Sequence, residues 1–304
     1  MIDYHVHLWP HRDVADDSDL AVERIAAYVD LAGKAGVEEI ALTEHFFRFV
    51  QGRAAVEGWW EDFGEADGQP FHSQARAYFD HHATADLDRY VDTALAVKRA
   101  GLPVVLGLEV DYYPGRMDDV ARLLAGYPFD VLLGSVHWIG NWMFDHLSSA
   151  VQMGEWDRRP LAESWRAYTE ALEELAGTRA CDVLAHPDLV KVANRFPDRG
   201  VVEECEARIA DAAASSGMSA EISSAGLVKP CGEDYPSPSL LQRFAERAVP
   251  ITFASDTHGT ARIGERNAAL RDAASSAGYS SVRRFRNRQG DDLAFGPQAS
   301  VTPR

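Results

Sequence analysis

Asp3, His5 and His7 stand two residues apart in the opening stretch Met1-Ile-Asp-Tyr-His-Val-His-Leu8. Side chains alternate faces along a strand, so this spacing sets the three on one face. Ile2, Tyr4, Val6 and Leu8 take the other face, whose apolar character calls for burial. An Asp-His-His row on an otherwise apolar strand is costly unless something compensates it. Two neutral imidazoles at this spacing can bind one cation. The alternative is a pair of half-buried histidines hydrogen-bonded to carbonyls.

The rest of the chain favours the cation. Strand-like runs fall at about 2–8, 37–43, 103–110, 130–136, 181–186, 218–223 and 249–255. Helix-like runs fall between and after them, at about 18–35, 83–101, 116–126, 160–177, 200–217, 237–248 and 263–279. Strict alternation of this kind implies parallel strands with helical crossovers. No linker interrupts it, so one domain over residues 1–304, closed as a barrel, is expected. In such barrels the chemistry sits at the C-terminal strand ends. Those ends carry His7, His45, Glu109, His137, His186, Ser224, and then Asp256 with His258. Nearly every strand thus delivers His, Glu or Asp to one rim, which is the pattern of a metal cluster.

The donor set combines histidine and carboxylate without cysteine, which suits Zn, Mn or Fe and argues against a structural zinc site. There are too many donors for one ion. Glu109 could bridge two with its two oxygens, and a pair about 3.5–4 Å apart suits phosphate ester hydrolysis.

Composition narrows the partners. The chain has 304 residues, 46% of them hydrophobic, and a formal net charge of −17. That acidity disfavours nucleic acid and anionic membranes, and a phosphorylated substrate needs local positive charge. Cys181, Cys205 and Cys231 form no C-x-x-C and no even set, which fits a reducing compartment. No leader precedes the first strand and no apolar stretch reaches bilayer length, so a cytoplasmic location is expected.

Two long rim loops are expected, at about 46–82 and 138–159. In the first, Trp59, Trp60 and Phe63 are expected to shield the site or touch the substrate; a satellite core under the loop is the alternative. The tail from Ser280, with Arg283, Arg284, Arg286 and Arg288, is expected to be an edge segment with a solvated face.

The chain resembles the polymerase-and-histidinol-phosphatase (PHP) superfamily, and within it the histidinol-phosphatase branch. The matching stretches are Asp-Tyr-His-Val-His (3–7), Thr-Glu-His (43–45), Gly-Leu-Glu-Val-Asp-Tyr-Tyr-Pro-Gly (107–115) and Gly-Ser-Val-His (134–137). They continue with Asp-His (145–146), His-Pro-Asp-Leu-Val-Lys (186–191), Ser-Ala-Gly-Leu (224–227), Asp-Tyr-Pro-Ser (234–237) and Ser-Asp-Thr-His (255–258). The order is the family's, and the match spans residue 2 to about 280.

The resemblance implies a distorted (β/α)7 barrel of the PHP type with two to three divalent ions. It implies His5, His7, Glu109 and Asp256 for the first ion and Glu109, His137 and His186 for the second. His45 and His258 would hold the third, with His11, or else Asp13, from the loop after the first strand. Asp3 would orient a histidine ring from behind. The implied reaction is in-line attack of a metal-bound hydroxide on a phosphomonoester, with Asp256, Glu109 and His258 catalytic and Asp256 handling the proton. Lys191, Lys229 and Arg195 are the candidate phosphate donors. Asp145, His146 and Trp142 would meet an aminoalcohol such as L-histidinol. Val228 departs from the branch, which often has arginine there. Another small phosphate ester is thus the alternative substrate. An amidohydrolase-like deaminase shares the first-strand His-x-His but has no use for His45, His258 or a bridging Glu109. A non-catalytic PHP module would lack ligands that are present here.

Overall fold

A computed structural model describes residues 1–11, 13–63 and 71–295. The barrel strands are β1 (Ile2–His7), β2 (Glu39–Leu42), β3 (Val104–Asp111) and β4 (Val131–Ser135). A short ribbon follows, β5 (Trp138–Ile139) with β6 (Trp142–Met143). The barrel resumes with β7 (Val183–Leu184), β8 (Ser219–Ser223), β9 (Ile251–Ala254) and β10 (Thr257–His258). A hairpin of β11 (Ser281–Arg286) and β12 (Gln289–Ala294) ends the described chain.

One broken strand closes the barrel. β9 pairs in parallel with β8, and after Ser255 and Asp256 the chain resumes as β10, which pairs with β1 through Val6↔Thr257 and His7↔His258. The sheet order is β10-β1-β2-β3-β4-β7-β8-β9. This is the expected distorted (β/α)7 barrel, with its last strand split. At the break Asp256 has a φ of 49°, in the left-handed region that non-glycine residues rarely occupy. The expected strand over 181–186 shortens to β7 for a related reason: His186 has a φ of 28° and turns out of the sheet.

Local chemistry sets the elements around the rim. In the helix Leu87–Arg99, Asp86 caps the N-terminus by accepting from the Asp88 amide, and Leu87, Tyr90, Val91, Ala94 and Val97 form a buried stripe at helical spacing. Gly107 lets β3 sit tightly between its neighbours. A Cβ there would meet Val131 O at 2.8 Å and Thr43 Cγ2 at 3.0 Å. Two residues on, Glu109 is fully buried at the centre of the barrel.

Three segments depart from expectation. Residues 46–82 fold as the helices Val50–Ala55 and Phe71–His82 with short 3-10 turns at Phe46–Arg48 and Trp59–Asp62, and residues 64–70 lie outside the described chain. Trp59 and Trp60 are fully buried, with Phe79, Tyr113 and Trp138 in edge-on contact with Trp59. Neither a satellite core nor part of the cleft lining, they join the main hydrophobic core with Phe46, Phe49 and Tyr113. Aromatic faces this large bury more favourably against each other than against a solvated cleft. Residues 138–159 become the β5–β6 ribbon and the helix Ala150–Arg158.

The basic tail is an edge hairpin with the expected solvated face, where β12 is largely exposed and Arg283 and Arg284 pair with Asp292 and Asp291, but its other face is docked. Its hairpin docks where the strands begin. Arg286 pairs with Glu39 at the start of β2, Arg288 Nε donates to Asp182 Oδ2 at 3.0 Å just before β7, and the Asn287 amide donates to Asp130 Oδ1 at 3.2 Å just before β4. Val282 and Phe285 join a buried cluster with Ile2, Tyr4, Val105 and Phe253. Opposite charge at the strand starts thus sets where the tail binds. Among the described residues no helix is long and apolar enough to cross a membrane.

Candidate metal centre

Alternation along β1 places His5 and His7 on one face, and both rings are fully buried. His5 Nε2 lies 3.3 Å from Glu109 Oε2 and 3.7 Å from Asp256 Oδ1. His7 Nε2 lies 3.6 Å and 3.4 Å from the same two atoms. Ligands about 2.1 Å from a tetrahedral ion are about 3.4 Å from one another, so these spacings suit a transition ion at their centre. His5 Nε2, His7 Nε2, His45 Nδ1 and Glu109 Oε2 are buried without a hydrogen-bond partner. Such orphaned atoms are rare and costly in a native interior. The donor set therefore fits a divalent transition ion on the geometry of this chain alone.

The second oxygen of Glu109 faces another group. Glu109 Oε1 is 2.9 Å from His186 Nε2 and 3.5 Å from His137 Nε2. One carboxylate thus spans two ligand sets, as a bridge requires. His45 Nε2 and His258 Nε2 approach to 3.2 Å, and both rings stack on His7. His7, His45 and His258 offer ligand atoms within 4.8 Å of one another. His11 reaches the same corner, but its ring lies flat on His258 with centroids 3.4 Å apart. Asp13 is exposed, and its carbonyl accepts from Arg48.

Carboxylates behind the rings set their tautomers. His5 Nδ1 is 2.6 Å from Glu221 Oε2, His7 Nδ1 is 3.3 Å from Glu44 Oε1, and His137 Nδ1 is 2.5 Å from Asp111 Oδ1. Each holds a proton on Nδ1 and turns Nε2 toward the centre. Glu44 is itself locked, accepting from the amides of Leu8, Trp9 and His45 and pairing with the buried Arg48. Asp3 does not orient a ring. It accepts from the amides of Ser255 at 2.9 Å and Gly264 at 2.8 Å, and so ties β1 to the broken closing strand.

Charge is unevenly shared among the ligands. Burial alone would raise Glu109 and Asp256, but the surrounding histidines, His45 and His5 foremost, hold both well below the usual carboxylate range. Burial lowers His45 to about 4 and also lowers His258, so both are neutral at pH 7. Burial acts the same way on His137, yet Asp111 and Glu109 overcome it and raise the group to about 10. A raised imidazole keeps its proton until the pH climbs through that value, and an ion takes only the deprotonated nitrogen. Adding zinc to the metal-free protein at pH 7.5 is therefore expected to release at least one proton per chain. A weakly buffered titration with a pH indicator reads this, and a titration that saturates with no acidification contradicts it.

The centre opens into a cleft of about 550 Å³ whose lining includes His11, His45, His137, Asp145, His146 and Lys229. Three expected substrate contacts are elsewhere. Lys191 is buried beneath the rim, with its ammonium bound to Asp188 Oδ2, Glu233 Oε2 and the Asp234 carbonyl. Arg195 pairs with Asp157 at 3.1 Å on the outer surface. Trp142 is core: its Nε1 donates to the Gln152 carbonyl and Arg159 covers its ring. In each case a nearby polar partner satisfies the side chain away from the cleft. Glu221, Glu44 and the cleft residues Phe47, Tyr78, His81 and His82 were not expected. Strand alternation marks Glu221, since Ser219, Glu221 and Ser223 share one face of β8.

Residues 3–225 match the PHP domain family. Over 207 residues the chain is 33% identical to a protein of Deinococcus radiodurans named as a probable histidinol-phosphatase, covering 67% of this chain and 77% of that one. Two solved structures share the fold. The histidinol phosphate phosphatase of Lactococcus lactis subsp. lactis, determined with zinc, L-histidinol and phosphate, matches with a TM-score of 0.65 at 20% identity, over 95% of this chain and 98% of that one. A candidate histidinol phosphatase of Listeria monocytogenes matches with a TM-score of 0.67 at 21% identity, over 88% of this chain and 99% of that one.

Proposed function

The chain belongs to the PHP domain family, and we propose that it is a metal-dependent phosphomonoesterase that hydrolyses L-histidinol phosphate to L-histidinol and phosphate. The observation that carries this reading is Glu109, whose two oxygens face two separate sets of histidines. His5, His7, Glu109 and Asp256 would hold one ion, and Glu109, His137 and His186 a second. His45 and His258 would hold a third beside His11. When bound, adjacent divalent ions make a nucleophile of water at neutral pH and neutralise charge on the phosphoryl oxygens.

The chain's own residues do the rest. Asp256 is ionised and its carboxylate is 15% exposed, in a pocket that shares His11 and Lys229 with the cleft, where it can accept a proton and pass it toward the leaving alkoxide. His258 flanks it, with Nδ1 3.6 Å from Asp256 Oδ1. Lys229 enters the cleft with no ion-pair partner among the described residues, which frees it for a phosphoryl oxygen. Asp145 lies 4.0 Å from His137 and suits the ammonium of an aminoalcohol. Zinc is the ion that the His and carboxylate donors fit directly, and manganese and iron suit them as well.

A phosphate-release screen tests this reading. With zinc or manganese added back, L-histidinol phosphate should be turned over with kcat/KM above about 10⁴ M⁻¹s⁻¹, an ordinary value for a cognate substrate. A neutral sugar phosphate should be at least about tenfold worse, because it offers no cation to Asp145. Faster hydrolysis of a sugar or nucleoside phosphate would leave the metal chemistry in place and remove histidinol phosphate as the substrate.

A further inference from the structure

Arg48 is fully buried behind the rim, at the end of the 3-10 turn Phe46–Arg48 that follows His45. A guanidinium is costly to desolvate unless its donors are met. Here they are spread over two segments. Nε lies 3.0 Å from Glu44 Oε1, Nη1 donates to the Asp13 carbonyl at 2.8 Å, and Nη2 donates to the Pro10 carbonyl at 2.8 Å. His11 stands between those two carbonyls in the chain. The planar fork of arginine suits such a bridge, and no other side chain carries its donors in that array.

Glu44 carries the clamp to the ligands. Its carboxylate accepts from the amides of Leu8 at 2.9 Å, Trp9 at 3.2 Å and His45 at 3.0 Å, and its Oε1 stands 3.3 Å from His7 Nδ1. One buried ion pair therefore ties both ends of the loop after β1 to His7 and His45. His7, His45 and His258 gather their ligand atoms within 4.8 Å, and the His11 ring lies on His258. His137 and His186 are held from elsewhere. Asp111 stands behind His137, and the His186 amide donates to Glu221 Oε1 at 3.2 Å. The clamp thus serves one corner of the centre and not the other.

We propose that Arg48 is a positioning residue that, through Glu44 and the loop after β1, sets the corner of His45 and His258 so that a third divalent ion binds there. The proposal rests on the metal-centre reading above and assigns a role to a residue that lines neither the cleft nor the pocket beside it.

The test counts and locates zinc in the whole chain, so it needs no turnover. The protein is stripped by chelation and titrated with zinc against a competing chromophoric chelator, and anomalous scattering at the zinc edge places the ions. The parent should take up three. Arg48→Lys keeps a charge opposite Glu44 and gives up the fork across the two carbonyls. Its last ion should bind at least about tenfold more weakly, the usual cost of losing a group that orients a ligand, with the first two within about threefold of the parent. The weakened ion should be the one beside His45 and His258. Arg48→Met removes the charge as well and should weaken that ion by about a hundredfold. A parent holding fewer than three ions overturns the proposal, as does parental affinity for the last ion in Arg48→Lys. Equal weakening of all three ions, or loss of the ion beside His137 and His186 instead, also overturns it. Should Arg48→Met fail to fold, Arg48→Lys decides alone. Three ions in the parent with no turnover of any phosphomonoester would instead refute the phosphatase reading and leave the role of Arg48 in place.

Discussion

Replacing Glu109 with glutamine lowers kcat on L-histidinol phosphate by at least about a hundredfold, the usual effect of losing a preorganised electrostatic element. The substitution preserves size and removes one charge. That charge faces His5 Nε2 at 3.3 Å on one side and His186 Nε2 at 2.9 Å on the other. An amide offers one weak oxygen ligand and an NH₂ that repels a cation, so it cannot bridge two ions. Metal content should fall along with kcat. The fold should persist, since the hairpin plug, the helical layer and the lower barrel make no use of the Glu109 charge. Far-UV circular dichroism and elemental analysis accompany the kinetics. Near-parental turnover with full metal content would remove Glu109 from the bridge.

Replacing Trp59 with alanine has its large effect on stability. Trp59 is 0% exposed and meets Trp60, Phe63, Phe79, Tyr113 and Trp138 within 6.4 Å between ring centroids. Emptying a site of that size costs about 3–5 kcal/mol. For a chain of this length that lowers Tm on the order of 10 °C. KM for L-histidinol phosphate should stay within about threefold of the parent, because Trp59 does not itself line the cleft and meets it through Trp138 and Phe79. Thermal unfolding and steady-state kinetics on one preparation separate the two effects. A raised KM with unchanged Tm would return Trp59 to a substrate-covering role.

The two outcomes rest on different kinds of legibility. His5, His7, His45, Glu109, His137, His186, Asp256 and His258 could be read from the chain because two periodicities coincide. Alternation by two picks the face of each strand, and the βα repeat brings all C-terminal strand ends to one rim. The residues behind them follow no period. Glu221 and Glu44 look like ordinary strand carboxylates until the barrel closes and sets them behind His5 and His7. Lys191 and Lys229 both follow rim motifs, yet one is taken by Asp188 and Glu233 while the other enters the cleft. Only packing between separate loops decides which. The tail shows the same limit. Its arginines are basic in any reading, and it is the position of Glu39 and Asp182 at the strand starts that draws Arg286 and Arg288 onto the barrel, while Arg283 and Arg284 stay with Asp292 and Asp291 on the hairpin's own solvated face.

A metal titration of the stripped enzyme tests the central claim most directly. The protein is freed of metal by chelation, zinc is added back in steps, and phosphate release from L-histidinol phosphate is measured against ions bound per chain. The ligand sets built around Glu109, with His258 and His45 beside them, predict no turnover without metal. Activity should appear as the sites fill and level off at two to three ions per chain. Full activity in the stripped enzyme, or saturation of activity below one ion per chain, would contradict the account.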